Sequence, residues 1–137
     1  MKNRVVVTGM GIVASNAVGI SDFTNAIKEG KSGICHQKEL EELKFSCQVA
    51  GIPEINDEKY NSFLEKYQLR DAGMNIKYSV IAAKEAWEDA GLKIPEIQGK
   101  EVNSDTGVVI GSGVGNIDIF TENIIPKINQ GKVRRLR

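Results

Sequence analysis

The feature that most constrains this chain is an apolar run that stops at spaced glycines, and it occurs twice. Arg4 to Ala14 reads R-V-V-V-T-G-M-G-I-V-A, three valines and Thr8 without polar alternation. Such a β-branched run predicts a strand buried on both faces, as in the middle of a parallel sheet. Gly9 and Gly11 then let the backbone turn sharply or pass close to a neighbour. About a hundred residues on, Thr106 to Gly115 repeats the grammar as T-G-V-V-I-G-S-G-V-G. The two strand–glycine units form the expected skeleton, and the intervening chain is connection and cover.

That intervening chain carries helical patterns. Ser21 reads as an N-cap, Asp22 as a favourable first-turn acid, and Phe23, Ala26 and Ile27 as one face, with Gly30 as the stop. A short helix over about residues 22–29 follows, after a small, flexible stretch from Ser15 to Ile20. Phe45, Cys47 and Val49 alternate with Ser46 and Gln48, which predicts a half-buried strand near an edge, ending at Gly51-Ile52-Pro53. Asp57 caps a brief helix bearing Tyr60, Phe63 and Leu64. The strongest helix spans 75–90, where Ile76, Val80, Ala83, Trp87 and Ala90 share one face, widened by Ile81, Ala82 and Ala86. It reads as largely buried and stopped at Gly91. Residues 96–105 read as a polar loop. A last helix runs from about Asn116 to Gln130, and Pro126 inside it predicts a kink or break. Strands alternating with helices give an α/β class with parallel neighbours. Beyond the strand–glycine echo there is no tandem repeat, and there is no low-complexity linker.

With 137 residues, the chain amounts to one domain and can bury a core. Basic and acidic residues number 18 each, so overall charge makes no case for nucleic acid or an acidic membrane surface. No apolar run approaches a bilayer span and the N-terminus shows no signal-peptide pattern, so a cytoplasmic protein is expected. Two cysteines, Cys35 and Cys47, are too few for a disulfide scaffold.

Four motifs invite chemistry. Gly9-Met10-Gly11-Ile12-Val13-Ala14 fits the dinucleotide pattern G-x-G-x-x-A, but that site needs a helix to begin at once, with its amides facing the pyrophosphate. Here the helix signal waits until Ser21, and the acid expected about 20 positions on is Glu29, within a helix. Close strand–helix packing is the favoured reading of these glycines. Gly111-Ser112-Gly113 lacks the outer glycines of a nucleophile elbow, because Ile110 and Val114 occupy those places. Cys35, His36 and Cys47 make a poor metal set without paired spacing, and no metal or cofactor is expected. Lys132-Val133-Arg134-Arg135-Leu136-Arg137 puts four positive charges in six residues. It reads as a solvated tail, a contact for an acidic partner, or a point where the chain normally continues.

The residues quoted above also carry a resemblance. R-V-V-V-T-G-M-G-I-V and F-x-x-A-I-K-E-G-K-S-G-I (Phe23–Ile34) resemble the opening of elongating β-ketoacyl-acyl-carrier-protein synthases, the condensing enzymes of fatty-acid and polyketide assembly. K-Y-S-V-I-A-A-K-E-A-W-E-D-A-G-L (Lys77–Leu92) and G-V-V-I-G-S-G-V-G-N (Gly107–Asn116) are similar to the family at the right separations. N-x-G-K-V-R-R-L-R resembles the place where members run on into their next segment. The likeness covers nearly all of the chain and the opening third or so of a member. It implies a thiolase-like layered α/β fold, of which residues 1–137 would be part of the first half, usually in a dimer. It also implies that Val108, Val109 and Ile110 would have exposed neighbours or edges, an aggregation risk.

Its functional implications are bounded. The family holds the acyl chain on a cysteine and uses two histidines in decarboxylation, all beyond the stretch matched here; Cys35, Cys47 and His36 do not match those positions. No catalytic residue is therefore assigned. Val114 matches the residue lining the acyl pocket, where an apolar side chain suits an alkyl chain, although plain core is an equal reading. Arg70 matches a basic residue that meets the acidic acyl carrier protein, while Tyr67 and Asp71 stand at neighbouring basic positions and thin the patch; it also reads as a solvated charge. Expected partners are acyl carrier protein and the remainder of the synthase or a second synthase chain, in a homo- or hetero-oligomer. The alternatives are a non-catalytic chain-length-factor-like partner, a stand-alone interaction domain, and a nucleotide-binding module.

Overall fold

The computed structural model describes residues 4–55, 57–94 and 104–135. They fall into two compact units. The first takes the described residues up to Tyr60 together with Ile81–Ile94, and the second takes Asn61–Val80 and the described residues from 104 onward.

In the first unit, β1 (Val13–Ala14) and β2 (Ala17–Val18) form a tight antiparallel hairpin, Val13 opposite Val18 and Ala14 opposite Ala17. The stretch from Ser15 to Ile20 is thus partly ordered by pairing. The near-palindrome V-A-S-N-A-V, with two turn formers at its centre, is the local signal for it. α1 (Ile20–Lys28) follows directly, two residues earlier than the pattern predicts. Its N-cap is Gly19 in a positive-φ conformation (φ 95°) without a side-chain cap, and Ser21 lies inside the helix. Ala26 is the buried member of its expected face, whereas Ile27 is exposed. β3 (Ile34–His36) and β4 (Val49–Gly51) form a second antiparallel pair, with Cys35 opposite Ala50 and α2 (Lys38–Glu42) between them. The predicted edge strand is therefore shifted. It begins at Val49, while Phe45 and Cys47 lie outside it and are exposed.

α3 (Asp57–Lys66) and α4 (Met74–Asp89) appear where the periodicity places them. α4 ends as expected at Gly91 (φ 71°), whose amide bonds Glu88 while that of Leu92 bonds Trp87. This paired closure satisfies two orphan carbonyls. The same closure recurs at Gly30 and Gly131, and also at Lys44 and Gln68, two non-glycine residues at φ 58° and 55°. The covered face of α4 is the part of the expected one that carries Ile81, Ala82, Ala86 and Ala90. Ile81 is its buried residue, whereas Ile76 and Ala83 are exposed. The tight contact follows the row of small residues Ala82, Ala86 and Ala90, whose size admits a neighbouring backbone.

In the second unit the last helix runs as α5 (Ile117–Ile119), a π-helical turn over Phe120–Ile124, and α6 (Ile125–Asn129). Ile125 donates five residues back to Phe120, immediately before Pro126. Proline offers no N–H to continue the ladder, so the break predicted there takes the form of a widened turn. The loop read over 96–105 lies mostly outside the described residues.

The two apolar runs depart most from expectation. Val5 and Val7 are 91% and 82% exposed, Val109 is fully exposed, and neither run is a strand. A β-branched run becomes a strand only when a neighbour completes its backbone ladder. Among the described residues the only sheets are the two hairpins, so neither run has one. The expectation of strands buried on both faces is overturned, while the exposure implied for Val108–Ile110 by the resemblance is observed. No described helix is long and apolar enough to cross a membrane.

Candidate functional site

In the first unit the glycine turn lies against α4. A Cβ on Gly9 would strike the Ala86 carbonyl oxygen, and one on Gly11 that of Ala82. The G-x-G spacing is thus matched to an alanine every fourth residue, and close packing is what these glycines allow. Two acids on the adjacent row of α4 secure the turn. Asp89 accepts from the Met10 amide at 2.9 Å, and Glu85 accepts from Ile12 at 3.0 Å and from Ile20 at 2.7 Å. The first amide of α1, which a pyrophosphate would need, is therefore engaged by a carboxylate of the chain itself. Glu29 closes the C-terminal end of α1 instead of standing beside a ribose. Glu85 and Asp89 escape a sequence reading because nothing local announces a cap supplied from over sixty residues away.

The soft-ligand cluster is dispersed. Cys35 and His36 are consecutive on β3 and so face opposite sides. The Cys35 sulfur accepts from Gln37 Nε2 at 3.1 Å, His36 lies 3.6 Å from Glu41, and Cys47 contacts the Val49 carbonyl at 3.6 Å. Both thiols are free and exposed, and no group of three or more metal-binding His, Cys, Asp or Glu occurs among the described residues.

The second unit holds both positions singled out for acyl and carrier contacts. Arg70, in the turn after α3, is exposed and pairs with Glu65 at 3.2 Å. The Tyr67 ring packs tilted against Phe63, centroids 4.7 Å apart, and Lys66 Nζ stands 5.5 Å over the Tyr67 ring. Lys66 thus adds a second cation to this surface, without a motif of its own to announce it. Val114 is 77% exposed on the turn after Val108–Ile110.

Behind that turn lies a polar cluster at the start of α4. Asp118 Oδ2 accepts from the Met74 amide at 2.7 Å, capping a helix from another element. That hydrogen bond, aided by the Ile119 and Asp118 amides and by Lys77, holds the Asp118 carboxyl below its ordinary value against opposing desolvation. Burial raises the Tyr78 phenol, and the Asp118 charge adds to the effect. A Cβ on Gly73 would lie 2.5 Å from Asn116 Oδ1 and 3.1 Å from the Oδ1 atoms of Asn75 and Asp118. One on Gly115 would lie 2.7 Å from Asn75 Nδ2.

These features define a mixed α/β chain whose glycine turns are seated on a helix by packing and carboxylate caps, with its longest β-branched runs unpaired. Residues 2–135 match the family model described as beta-ketoacyl synthase, N-terminal domain, and the chain belongs to that family. It is 32% identical to 3-oxoacyl-acyl-carrier-protein synthase 2 of Coxiella burnetii, over 95% of this chain and 30% of that protein. It is 34% identical to the synthase 2 of Vibrio harveyi, over 87% of this chain and 27% of that protein. With the chloroplastic synthase I of Arabidopsis thaliana the identity is 30%, over 97% and 28%. The chain thus spans less than a third of the length of these relatives.

Proposed function

We propose that this chain is the N-terminal portion of a 3-oxoacyl-acyl-carrier-protein synthase, serving fatty-acid or polyketide elongation only together with the rest of the enzyme. The observation that carries this reading is its likeness, over almost its whole length, to less than a third of each named synthase. In the reaction a malonyl thioester loses carbon dioxide, and the resulting carbanion attacks an acyl thioester and expels its thiolate. Residues 1–137 supply neither the cysteine nor the two histidines that the family uses, so the chain alone catalyses no condensation. Its contribution is a portion of the first thiolase-like half, in which Val5–Val7 and Val108–Ile110 gain strand neighbours from the remainder of the synthase or a second chain.

Within that assembly Val114 faces the acyl chain, and Arg70, joined by Lys66, meets the acidic carrier protein. The synthase names of the relatives favour this reading over a chain-length factor. The place of action is the cytoplasm.

The test is elongation of acyl donors of graded length with malonyl-carrier protein, using this chain alone and the product of its native locus. The expected result is 3-oxoacyl product from the locus product and none from the chain. A locus product that binds both thioesters yet never condenses them would refute the synthase reading and favour the chain-length-factor alternative.

A further inference from the structure

The turn that carries Val114 is anchored at one end. Cβ atoms built on Gly111 and Gly113 would meet nothing within 4 Å, so its apex is open. From Gly115 onward the chain is seated: Gly115 against Asn75, Asn116 against Gly73, and Asp118 on the Met74 amide. Asn116 takes a left-handed conformation (φ 60°) that reverses the chain into α5. The Asn75 Oδ1 atom is buried and has no hydrogen-bond partner, so it adds packing to the seat but no bond. Among the described residues, the Asp118–Met74 hydrogen bond is therefore the directional contact that holds the turn to α4.

We propose that Asp118 is a positioning residue: by latching the Gly111–Asn116 turn to the N-terminus of α4, it sets where Val114 stands and so tunes acyl-chain selectivity. The selectivity half rests on the reading of Val114 given above; the latch itself does not. A carboxylate suits the task because a charged acceptor at a helix N-terminus gains from both the hydrogen bond and the helix dipole. Gly73 and Gly115 suit it because any side chain there would displace Asn116 or Asn75. The cluster is not a cation site, because the point on which its three oxygens converge lies where the Gly73 α-hydrogen points.

Amide hydrogen exchange on the 137-residue chain tests the latch. Asp118→Ala is expected to speed exchange at Met74 and across 115–119 by tenfold or more, whereas Asp118→Asn, which keeps an acceptor oxygen, restores much of the protection. Unchanged exchange in Asp118→Ala, with helix content retained, overturns the latch. Should Asp118→Ala lose its fold, Asp118→Leu, which keeps the side-chain bulk without an acceptor, is read instead, with faster exchange at Met74 and 115–119 expected and wild-type exchange counting against the latch.

The selectivity half is read on the native locus product, as the ratio of kcat/KM for long and short acyl donors. Asp118→Ala is expected to flatten a preference that Val114→Phe shortens. A flattened preference supports the proposal. If Val114→Phe shifts the preference and Asp118→Ala leaves it intact, the positioning role is wrong. If Val114→Phe has no effect, the acyl reading of Val114 fails, and with it the selectivity half; the latch is then judged by exchange alone.

Discussion

Replacing Glu85 by alanine removes the acceptor for two backbone amides at once, Ile12 at 3.0 Å and Ile20 at 2.7 Å. Hydrogen bonds to charged groups are worth about 1.5–3 kcal/mol each when well shielded. Both amides here are only partly buried, so water recovers some of that loss and roughly 1–1.5 kcal/mol per bond is the fair figure. Glu85→Ala should then destabilise the first unit by about 2–3 kcal/mol. Glu85→Gln should cost nearly as much, because its NH2 group must face one of the two donors. The single tryptophan, Trp87, lies two residues along the same helix and donates to the Lys93 carbonyl at 2.7 Å, so its fluorescence reports the same unit. Urea titration should show the midpoint falling by about 1–2 M for a slope near 1.5 kcal/mol/M. Glu88→Ala is the control, since its partner is Lys84 in a partly exposed i,i+4 pair worth about 0.5 kcal/mol. A Glu85→Ala midpoint indistinguishable from that of Glu88→Ala would refute the clamp.

Gly11→Ala should cost at least about 3 kcal/mol in the same titration, because its Cβ meets the Ala82 carbonyl, a backbone atom with no rotamer to yield; a cost below about 1 kcal/mol would show that the turn is not seated on α4. NADP at millimolar concentration should leave the melting temperature unchanged, since Glu85 already engages the first amide of α1; saturable stabilisation would restore the nucleotide reading. Asp118 has a lowered folded-state carboxyl pKa. Its contribution is thus complete above the ordinary aspartate value of about 3.9 and is lost as pH falls through the lower folded one. The Met74 amide resonance should follow that titration and stop doing so in Asp118→Asn; a midpoint at or above 3.9 would contradict the assigned hydrogen bond.

Local patterns were legible where the chain settles its own structure. The 3.6-residue periodicity locates α1, α3 and α4, Gly91 marks a helix end, and Pro126 marks the disturbed turn, because each effect is decided within a few residues. What the pattern misplaces is decided elsewhere in the chain. Ser21 looks like a cap, but α1 starts earlier because Glu85 satisfies Ile20 from another helix. The broad apolar face of α4 is legible, but which part of it is covered is not: the alanine row within it meets the glycine turn, a match visible only when both segments are considered together. Val5–Val7 and Val108–Ile110 have strand composition without a strand, because pairing requires a neighbour and composition cannot supply it. Val114 and Arg70 stand out through resemblance alone. Asn75, Asn116 and Asp118, which surround the turn, have no linear signature because they meet only after folding.

The most direct measurement is the intact mass of the product made from the native locus, with its coding DNA read past Arg137. The expected product is a polypeptide about three times the length of this chain, with a cysteine and two histidines downstream. A longer product without the cysteine would favour a chain-length factor, and a native product of 15.0 kDa would contradict the synthase claim.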